Sequence, residues 1–264
     1  IGIQNFEQFR NNNCVYVDKT ELVYRLTHTD QVYFLSRPRR FGKSLLVSTL
    51  EAYFQGKKDL FRGLAMERLE QDWESYPVLH IDFSISKYLS AHYLRSAINW
   101  FLERWEREYG CCVEDKKGTP FSVRLGNVIE SAYKKTGKAV VVLVDEYDSP
   151  MLDTNSDVAL QGELRGIMRD FFSPLKGMGQ YLRFLFITGI SKFSQMSIFS
   201  ELNNLQNISM RDDFSAICGT PEEALAQIDS KQYAVPYQAD GRRVVKVGVN
   251  FDSATRTIGE WIVR

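Results

Sequence analysis

The chain has 264 residues, enough for one large α/β domain, or for one domain and a fragment of another. Basic and acidic residues both number 33, so the net charge of zero provides no overall field for nucleic acid or a membrane, although a local patch stays open. Four cysteines without a CxxC pair and only three histidines argue against a zinc site and favour reduced thiols. No apolar run approaches the roughly 18 residues that span a bilayer. No signal peptide is visible. The chain begins at Ile1 rather than at Met, so a leader sequence before it stays an alternative. We therefore expect a cytoplasmic protein with no membrane partner.

In chain order, the apolar pattern predicts strands that alternate with helices. Short apolar runs predict buried strands at residues 31–35, 77–83, 139–144 and 182–188. Helical periodicity predicts helices at 44–54, 94–109, 123–134 and 160–172, the third of them ended by Gly137. In the second helix we interpret Phe101, Trp105 and Tyr109 as core residues rather than as a base-stacking platform. The alternation predicts an α/β fold with a mostly parallel, doubly wound sheet.

The composition changes near Cys218, which predicts a domain boundary. Residues 1–218 are expected to form the main domain and residues 219–264 a small, incomplete α/β fragment. Within the fragment we predict a helix at 222–230 and strands at 244–251 and 257–263. This tail is too short to form a stable core of its own.

A phosphate-binding loop is predicted between the first strand and the first helix. The stretch from Arg37 to Ser44 ends in Gly-Lys-Ser, and the backbone of such a loop surrounds phosphates while the next helix presents its N-terminus. Lys43 would reach the β- and γ-phosphates of ATP and Ser44 would bind Mg²⁺. The pattern departs from G-x-x-x-x-G-K-[ST] because Arg37 stands at the first glycine. The residues expected to contact the nucleotide are Arg39, Phe41, Gly42, Lys43, Ser44 and Leu45.

An acidic pair follows the most apolar strand. Asp145 and Glu146 come directly after five apolar residues, at the end of a strand where open α/β sheets bind ligands. We expect Asp145 to bind Mg²⁺ and Glu146 to orient or deprotonate the attacking water. Thr188, at the end of the next strand, is the candidate γ-phosphate sensor, with Ser191 second; a threonine that merely satisfies the strand end is an equal alternative.

The loop also carries a cluster of cations. Arg37, Arg39, Arg40 and Lys43 lie within seven residues, and Arg40 is the candidate that would place charge at a transition state. A solvated loop and a contact with an acidic surface are the alternatives.

Four stretches resemble the bacterial AAA-ATPase-like family. They are residues 15–20 (VYVDKT), 34–44 (FLSRPRRFGKS), 144–150 (VDEYDSP) and 188–194 (TGISKFS). The resemblance covers residues 1–219 and implies a STAND-like P-loop NTPase with ATP and Mg²⁺ as cofactors. In that family an arginine stands where the first Walker A glycine would be, so Arg37 is in pattern, and residues 144–146 match Walker B.

The tail is similar to the end of the PD-(D/E)XK nuclease-like domain that usually follows in this family. The ATPase lid and the nuclease strands with the metal-binding carboxylates are absent, so the chain looks like two ends of a longer protein joined near Gly219. A natural deletion and a joining of separate segments both stay open.

Three functions follow from this pattern. The first is an ATPase or nucleotide switch that regulates an attached or partner effector; self-association also stays open. The second is a nuclease regulated by its ATPase, with nucleic acid as a partner only in a full-length form. The third is a truncated remnant that binds nucleotide without turnover. Because Asp212 and Asp213 are the only nearby upstream carboxylates, and would face opposite ways on a strand, we expect this chain not to cut DNA or RNA.

Overall fold

A computed structural model of the chain describes most of its residues. They are residues 5–12, 14, 16–37, 41–116, 118–154, 157–190, 199, 202, 204–209, 211–218, 247–252 and 257–263. Arg39, Arg40 and Ser191, and the helix predicted at 222–230, lie outside the described residues.

The centre of the fold is a five-stranded sheet in which every pairing is parallel. The strand order is β2-β3-β4-β1-β5, so β4 lies between β1 and β3. The strands are β1 (Val32–Ser36), β2 (Val78–Asp82), β3 (Val140–Asp145), β4 (Leu182–Gly189) and β5 (Gln206–Asn207). The four strands predicted for the main domain are therefore confirmed within one or two residues, whereas β5 was not predicted because two residues carry no periodicity.

The sheet is covered by hydrophobic clusters on both faces, because successive side chains of a strand point to opposite sides. Phe34 of β1 belongs to one cluster, and its neighbours Tyr33 and Leu35 belong to the other. The apolar runs of β1 and β3 are buried at every position, as expected for strands that are covered on both faces.

Eight α-helices surround the sheet in the described residues. They are α1 (Phe6–Asn11), α2 (Thr20–Thr29), α3 (Lys43–Phe54), α4 (Ala65–Leu69), α5 (Ala91–Tyr109), α6 (Phe121–Thr136), α7 (Ser149–Leu152) and α8 (Val158–Phe172). Helices α5, α6 and α8 contribute to the cluster that contains Phe34, and α1 to α4 contribute to the other. Gly137 ends α6 as predicted, with φ of 67° and its N–H on the carbonyl of Tyr133.

The aromatic repeat of α5 lies in the core, as predicted. Phe101 and Trp105 are 3% and 1% exposed, and their ring centroids stack 5.8 Å apart. Tyr109 is partly buried against the same cluster. A base-stacking platform would require exposed ring faces, which these two side chains do not have.

The segment after β5 differs from the expectation. Residues Asp212–Cys218 form a 3-10 helix, so Asp212 and Asp213 do not lie on a strand. Phe214, Ile217 and Cys218 are buried in the same cluster as α3. This segment therefore packs against the main domain.

Residues 247–252 (β6) and 257–263 (β7) form a separate antiparallel pair. Both strands were predicted, the first with an earlier start. No helix among the described residues is both long and apolar enough to span a membrane.

A buried ion pair joins α5 to α6 and provides a test of the packing. Arg124 is fully buried and donates two hydrogen bonds to Glu106, at 2.7 and 3.0 Å, and one to Asn99. Lys116 also lies 3.5 Å from Glu106. Removal of one partner of a buried pair leaves an uncompensated charge.

Arg124→Ala is therefore expected to lower the free energy of unfolding by about 3 kcal/mol or more. Lys134→Ala, which breaks an exposed pair with Glu130 on the same helix, is the matched control and should cost less than about 0.5 kcal/mol. Urea denaturation of both variants measures the difference. Equal losses would contradict a structural role for the Arg124–Glu106 pair.

Candidate nucleotide site

The predicted phosphate loop lies between β1 and α3, as its chemistry requires. Gly42 has φ of 78°, a left-handed conformation that favours glycine, and it precedes the first residue of α3. The N-cap of this 12-residue helix is Gly42, which makes no side-chain cap hydrogen bond. Such a helix start suits a bound phosphate.

The side chains that were assigned to this loop differ in how deeply they are buried. Lys43 is 3% exposed, which is uncommon for lysine, and it lies at the base of the loop. Ser44 is half-buried in the first turn of α3. Phe41 is half-buried, and Leu45 packs partly against the core, while its carbonyl accepts hydrogen bonds from the hydroxyls of Ser48 and Thr49.

Asp145 and Thr188 meet at the C-terminal edge of the sheet. The hydroxyl Oγ1 of Thr188 donates to Oδ1 of Asp145 at 2.5 Å. The backbone N–H of Glu146 donates to Oδ1 of Asp145 at 3.1 Å and to Oγ1 of Thr188 at 3.4 Å. Asp145 is 3% exposed and Thr188 is fully buried, so the hydrogen bond between their side chains is shielded from water. The two residues predicted at separate strand ends therefore form one hydrogen-bonded group with Glu146.

Glu146 has two unusual properties. Its φ is 50°, a left-handed conformation that costs a non-glycine residue roughly 1–3 kcal/mol and often occurs at functional sites. Burial raises the pKa of its carboxyl; Lys43 opposes this shift, and the charges of Asp145, Asp148 and Asp82 add to it. Lys43 and the acidic residues are thus close enough to influence Glu146 directly.

Several residues of the site were missed in the sequence. Asp82 ends β2 directly opposite Asp145 in the strand register. Asp148 is fully buried, and its Oδ2 accepts from the backbone N–H of Ile190 at 2.9 Å. A polar residue at the end of a buried strand is the signal that identified Asp145, and the same signal identifies Asp82. Asp148 stands only three residues after Asp145, but its contact with residue 190 depends on tertiary structure.

The donor set at this edge suits Mg²⁺. Carboxylate and hydroxyl oxygens are the ligands that this ion prefers, and a nucleotide-bound Mg²⁺ needs only one or two protein groups in addition to the phosphates. The described residues contain no cluster of three or more His, Cys, Asp or Glu that would enclose a metal without other ligands. Asp145, with Ser44 next to Lys43, supplies oxygens of the required kind, and the excess acidic charge around Glu146 favours a cation.

The comparisons with known proteins agree with this arrangement. The AAA-ATPase-like family, described as a predicted AAA-ATPase, matches residues 1–199. The chain belongs to the AAA-ATPase-like family. The PD-(D/E)XK nuclease superfamily matches residues 201–261. The resemblance noted in the sequence to both families is therefore confirmed.

One curated relative from Azotobacter chroococcum mcd 1 is described as an uncharacterized protein in the vnfD 5' region. It is 40% identical over 224 residues, which are 84% of this chain and 43% of the relative. This chain therefore spans less than half of that protein's length. No solved structure matches the chain.

The nuclease match and the packing divide the chain differently. The match begins at residue 201, yet β5 pairs with β1 and Phe214 lies in the core of the AAA-ATPase-like domain. The boundary at residues 218 and 219 stays a prediction, and this packing favours it over a boundary at 200.

Gly189, at the end of β4, is required by close packing. A Cβ at this position would lie 2.4 Å from Cε1 of Tyr147 and 2.7 Å from Oδ1 of Asp148. The N–H of Tyr147 also donates to the carbonyl of Thr188 at 3.0 Å. The segment that follows β3 is thus held tightly against the end of β4.

We expect Gly189→Ala to destabilise the protein by about 1–3 kcal/mol, because the ring of Tyr147 must move away from the new methyl group. Gly162→Ala in α8 is the control; its Cβ would meet open space, so a gain of roughly 0.5–1 kcal/mol is expected. Thermal or urea unfolding measures both. A neutral Gly189→Ala variant would refute the close contact.

A titratable pair connects α3 to the sheet beside the site. Nδ1 of His80, on β2, lies 2.9 Å from Oε2 of Glu51, on α3. Burial lowers the pKa of His80, but Glu51, together with Asp145 and Asp82, outweighs burial and raises it. Burial likewise raises the pKa of Glu51, but His80, together with Lys57 and Arg104, outweighs burial, so this pKa is lowered. Both shifts favour the charged pair.

The pair should therefore stabilise the fold in a defined pH window. The contribution of His80 is complete below its ordinary pKa of 6.5 and is lost as pH rises through its raised folded pKa. The contribution of Glu51 is present above its ordinary pKa of 4.5 and is lost as pH falls through its lowered folded pKa. The stability difference between the parent and His80→Gln should be largest between pH 4.5 and 6.5 and should decrease above that range. Glu51→Gln should remove this dependence, and a pH-independent difference would rule out the pair.

Proposed function

We propose that this chain binds Mg-ATP at the C-terminal edge of its sheet and hydrolyses it, as a nucleotide switch that acts on an attached or partner effector. One observation carries the proposal: Thr188, Asp145 and the backbone of Glu146 are joined by hydrogen bonds, beside a buried Lys43 at the start of a helix. The placement of β4 between β1 and β3 favours a doubly wound P-loop fold of the ASCE type.

Each side chain has a distinct role in the proposed reaction. Lys43 and the first N–H groups of α3 bind the phosphates. Asp145 and Ser44 bind Mg²⁺, which would polarise the phosphoryl oxygens.

Glu146 would orient or deprotonate the attacking water. Its raised pKa makes it a better proton acceptor than an exposed carboxylate, and its carboxyl lies within the influence of Lys43. Thr188 orients Asp145 through its hydroxyl, and this hydrogen bond would respond to charge at the γ-phosphate. Arg40 and Arg39, outside the described residues, stay candidates for transition-state charge and for nucleotide contact.

A nuclease activity of a longer form is the second candidate, and the superfamily match at residues 201–261 favours it. In this chain Asp213 is engaged by Arg211, at 3.0 and 2.7 Å, and both lie on the segment that packs on the ATPase-like domain. We therefore assign nucleic acid to a full-length form only. Four cysteines without a disulfide fit a cytoplasmic protein.

Lys43→Ala is expected to abolish the stabilisation by Mg-ATP. A ligand at 100 times its Kd raises the free energy of unfolding by about 2.7 kcal/mol, which gives the parent a measurable increase in Tm. Lys58→Ala, at an exposed position, is the matched control and should keep that increase. If Mg-ATP shifts the Tm of Lys43→Ala as it shifts the parent, the site is placed wrongly.

The same proteins separate turnover from binding. Glu146→Gln should keep the thermal shift and lose hydrolysis by about 100-fold or more, because an amide cannot accept the proton of water. Asp145→Ala should lose the Mg²⁺-dependent part of binding. Binding without any hydrolysis in the parent would favour the remnant interpretation.

A further inference from the structure

Arg37 occupies the first position of the phosphate loop, where it contacts the end of β4 on one side and the residues that follow β5 on the other. Its backbone N–H donates to the carbonyl of Gly189, next to Thr188 at the end of β4, at 3.1 Å. On the opposite side its Nη1 donates to the carbonyls of Ser36 and Ser209. The guanidinium thus joins the end of β1 to Ser209, two residues after β5, and both acceptors in these contacts are carbonyl groups rather than carboxylates.

Ser209 holds the adjacent residue as well. Its hydroxyl accepts from the N–H of Ser36 at 2.8 Å, and the two serine hydroxyls lie 3.1 Å apart. Ser36 and Ser209 are 9% and 4% exposed. The last residue of β1 and the first residue of the loop are therefore both fixed by Ser209, in a site with little water.

Ser209 belongs to a segment that is firmly packed at both ends. Before it, β5 pairs with β1, and the N–H of Ile208 donates to the carbonyl of Phe34 at 3.0 Å. After it, Phe214 and Ile217 are buried in the core. We refer to residues 206–209 and 211–218 as the clasp segment.

The clasp segment also lies near the proposed phosphate site. Burial raises the pKa of the Cys218 thiol to about 11, and the charges of Arg37 and Lys43 both oppose that shift. The thiol is therefore close enough to these two cations to be influenced by them. The same segment lies within the nuclease-superfamily match, which covers residues 201–261.

We propose that Arg37 is a positioning residue that pre-organises the phosphate loop by anchoring its start to the clasp segment, so that nucleotide binding and the order of the clasp segment are coupled. The inference rests on the proposed binding of Mg-ATP. In the usual loop, a glycine at this position provides backbone freedom. Arg37 instead holds the start of the loop in place, and an anchored loop does not need extra backbone freedom at its first residue.

The anchor acts on the affinity through the state without nucleotide. A loop that is already held in its bound conformation loses less conformational entropy on binding, and affinity rises accordingly. Coupling is reciprocal, so a nucleotide that prefers the anchored loop must also stabilise the clasp segment. The clasp segment is the point from which a change would pass to the nuclease-like residues.

The test compares four variants with the parent by titration of Mg-ATP. Arg37→Ala is expected to weaken binding about tenfold, which corresponds to 1.4 kcal/mol. Arg37→Gly, which restores the usual loop pattern, should bind no better than Arg37→Ala. Arg37→Lys, which keeps one donor for Ser209, should recover most of the affinity. Arg62→Ala, at an exposed arginine paired with Asp59, is the control and should bind like the parent.

Hydrogen exchange provides the second readout. In the parent, Mg-ATP should slow exchange at the backbone amides of the clasp segment, and in Arg37→Ala this protection should be reduced. A residue with only a structural role would lower the Tm without nucleotide and leave both the affinity and the nucleotide-dependent protection unchanged.

The outcomes distinguish the two proposals. If the parent binds Mg-ATP and Arg37→Gly binds it as tightly as the parent or more tightly, the positioning role is overturned and the proposed function stands. Parent-like protection of the clasp segment in Arg37→Ala would also overturn it. If the parent binds no nucleotide, the proposed function fails, and the inference fails with it.

Discussion

The hydrogen bond between Thr188 and Asp145 is the contact on which the candidate site depends. It exists only because β3 and β4 are parallel neighbours in a register that brings both strand ends to one edge of the sheet. The contact fixes one oxygen of Asp145 and, through the N–H of Glu146, the start of the segment that follows β3. That segment then accepts the strain of a left-handed Glu146 and places Tyr147 against Gly189.

Charge balance is the second constraint on this edge. The charges of Asp145, Asp148 and Asp82 raise the pKa of Glu146 beyond the effect of burial. Lys43 is the cation that opposes this shift. A site with this excess of acidic oxygens favours a cation and, with it, the phosphates that the start of α3 suits. The electrostatics and the fold thus favour the same ligand.

The clasp segment changes how the two family matches relate to each other. The nuclease match begins before a segment that completes the ATPase-like core, with β5 at the edge of the sheet and Phe214 inside it. A boundary between domains in sequence and a boundary in packing therefore need not coincide. If the proposed function holds, residues that belong to both the nuclease match and the ATPase-like core would connect nucleotide binding with the nuclease-like residues after them.

The sequence by itself determined the α/β fold class, the four main strands and the family. Long apolar runs such as that of β3 and the helical repeats of α5 are local signals, and Gly42-Lys43-Ser44 with Asp145-Glu146 is a motif that short stretches of chain carry. The roles of the site residues remain predictions, whether they are judged from the sequence or from the structure.

Only the tertiary structure decided which of these groups meet. A hydrogen bond from Thr188 to Asp145 spans 43 residues and one from Ser36 to Ser209 spans 173, and periodicity over a few residues contains no information about such pairs. β5 could not be predicted because two residues show no repeat. The contacts of Arg37 could not be predicted either, because the carbonyl that its guanidinium binds belongs to Ser209, two residues after β5. Local pattern sets each element, whereas strand order and register set the contacts between their ends.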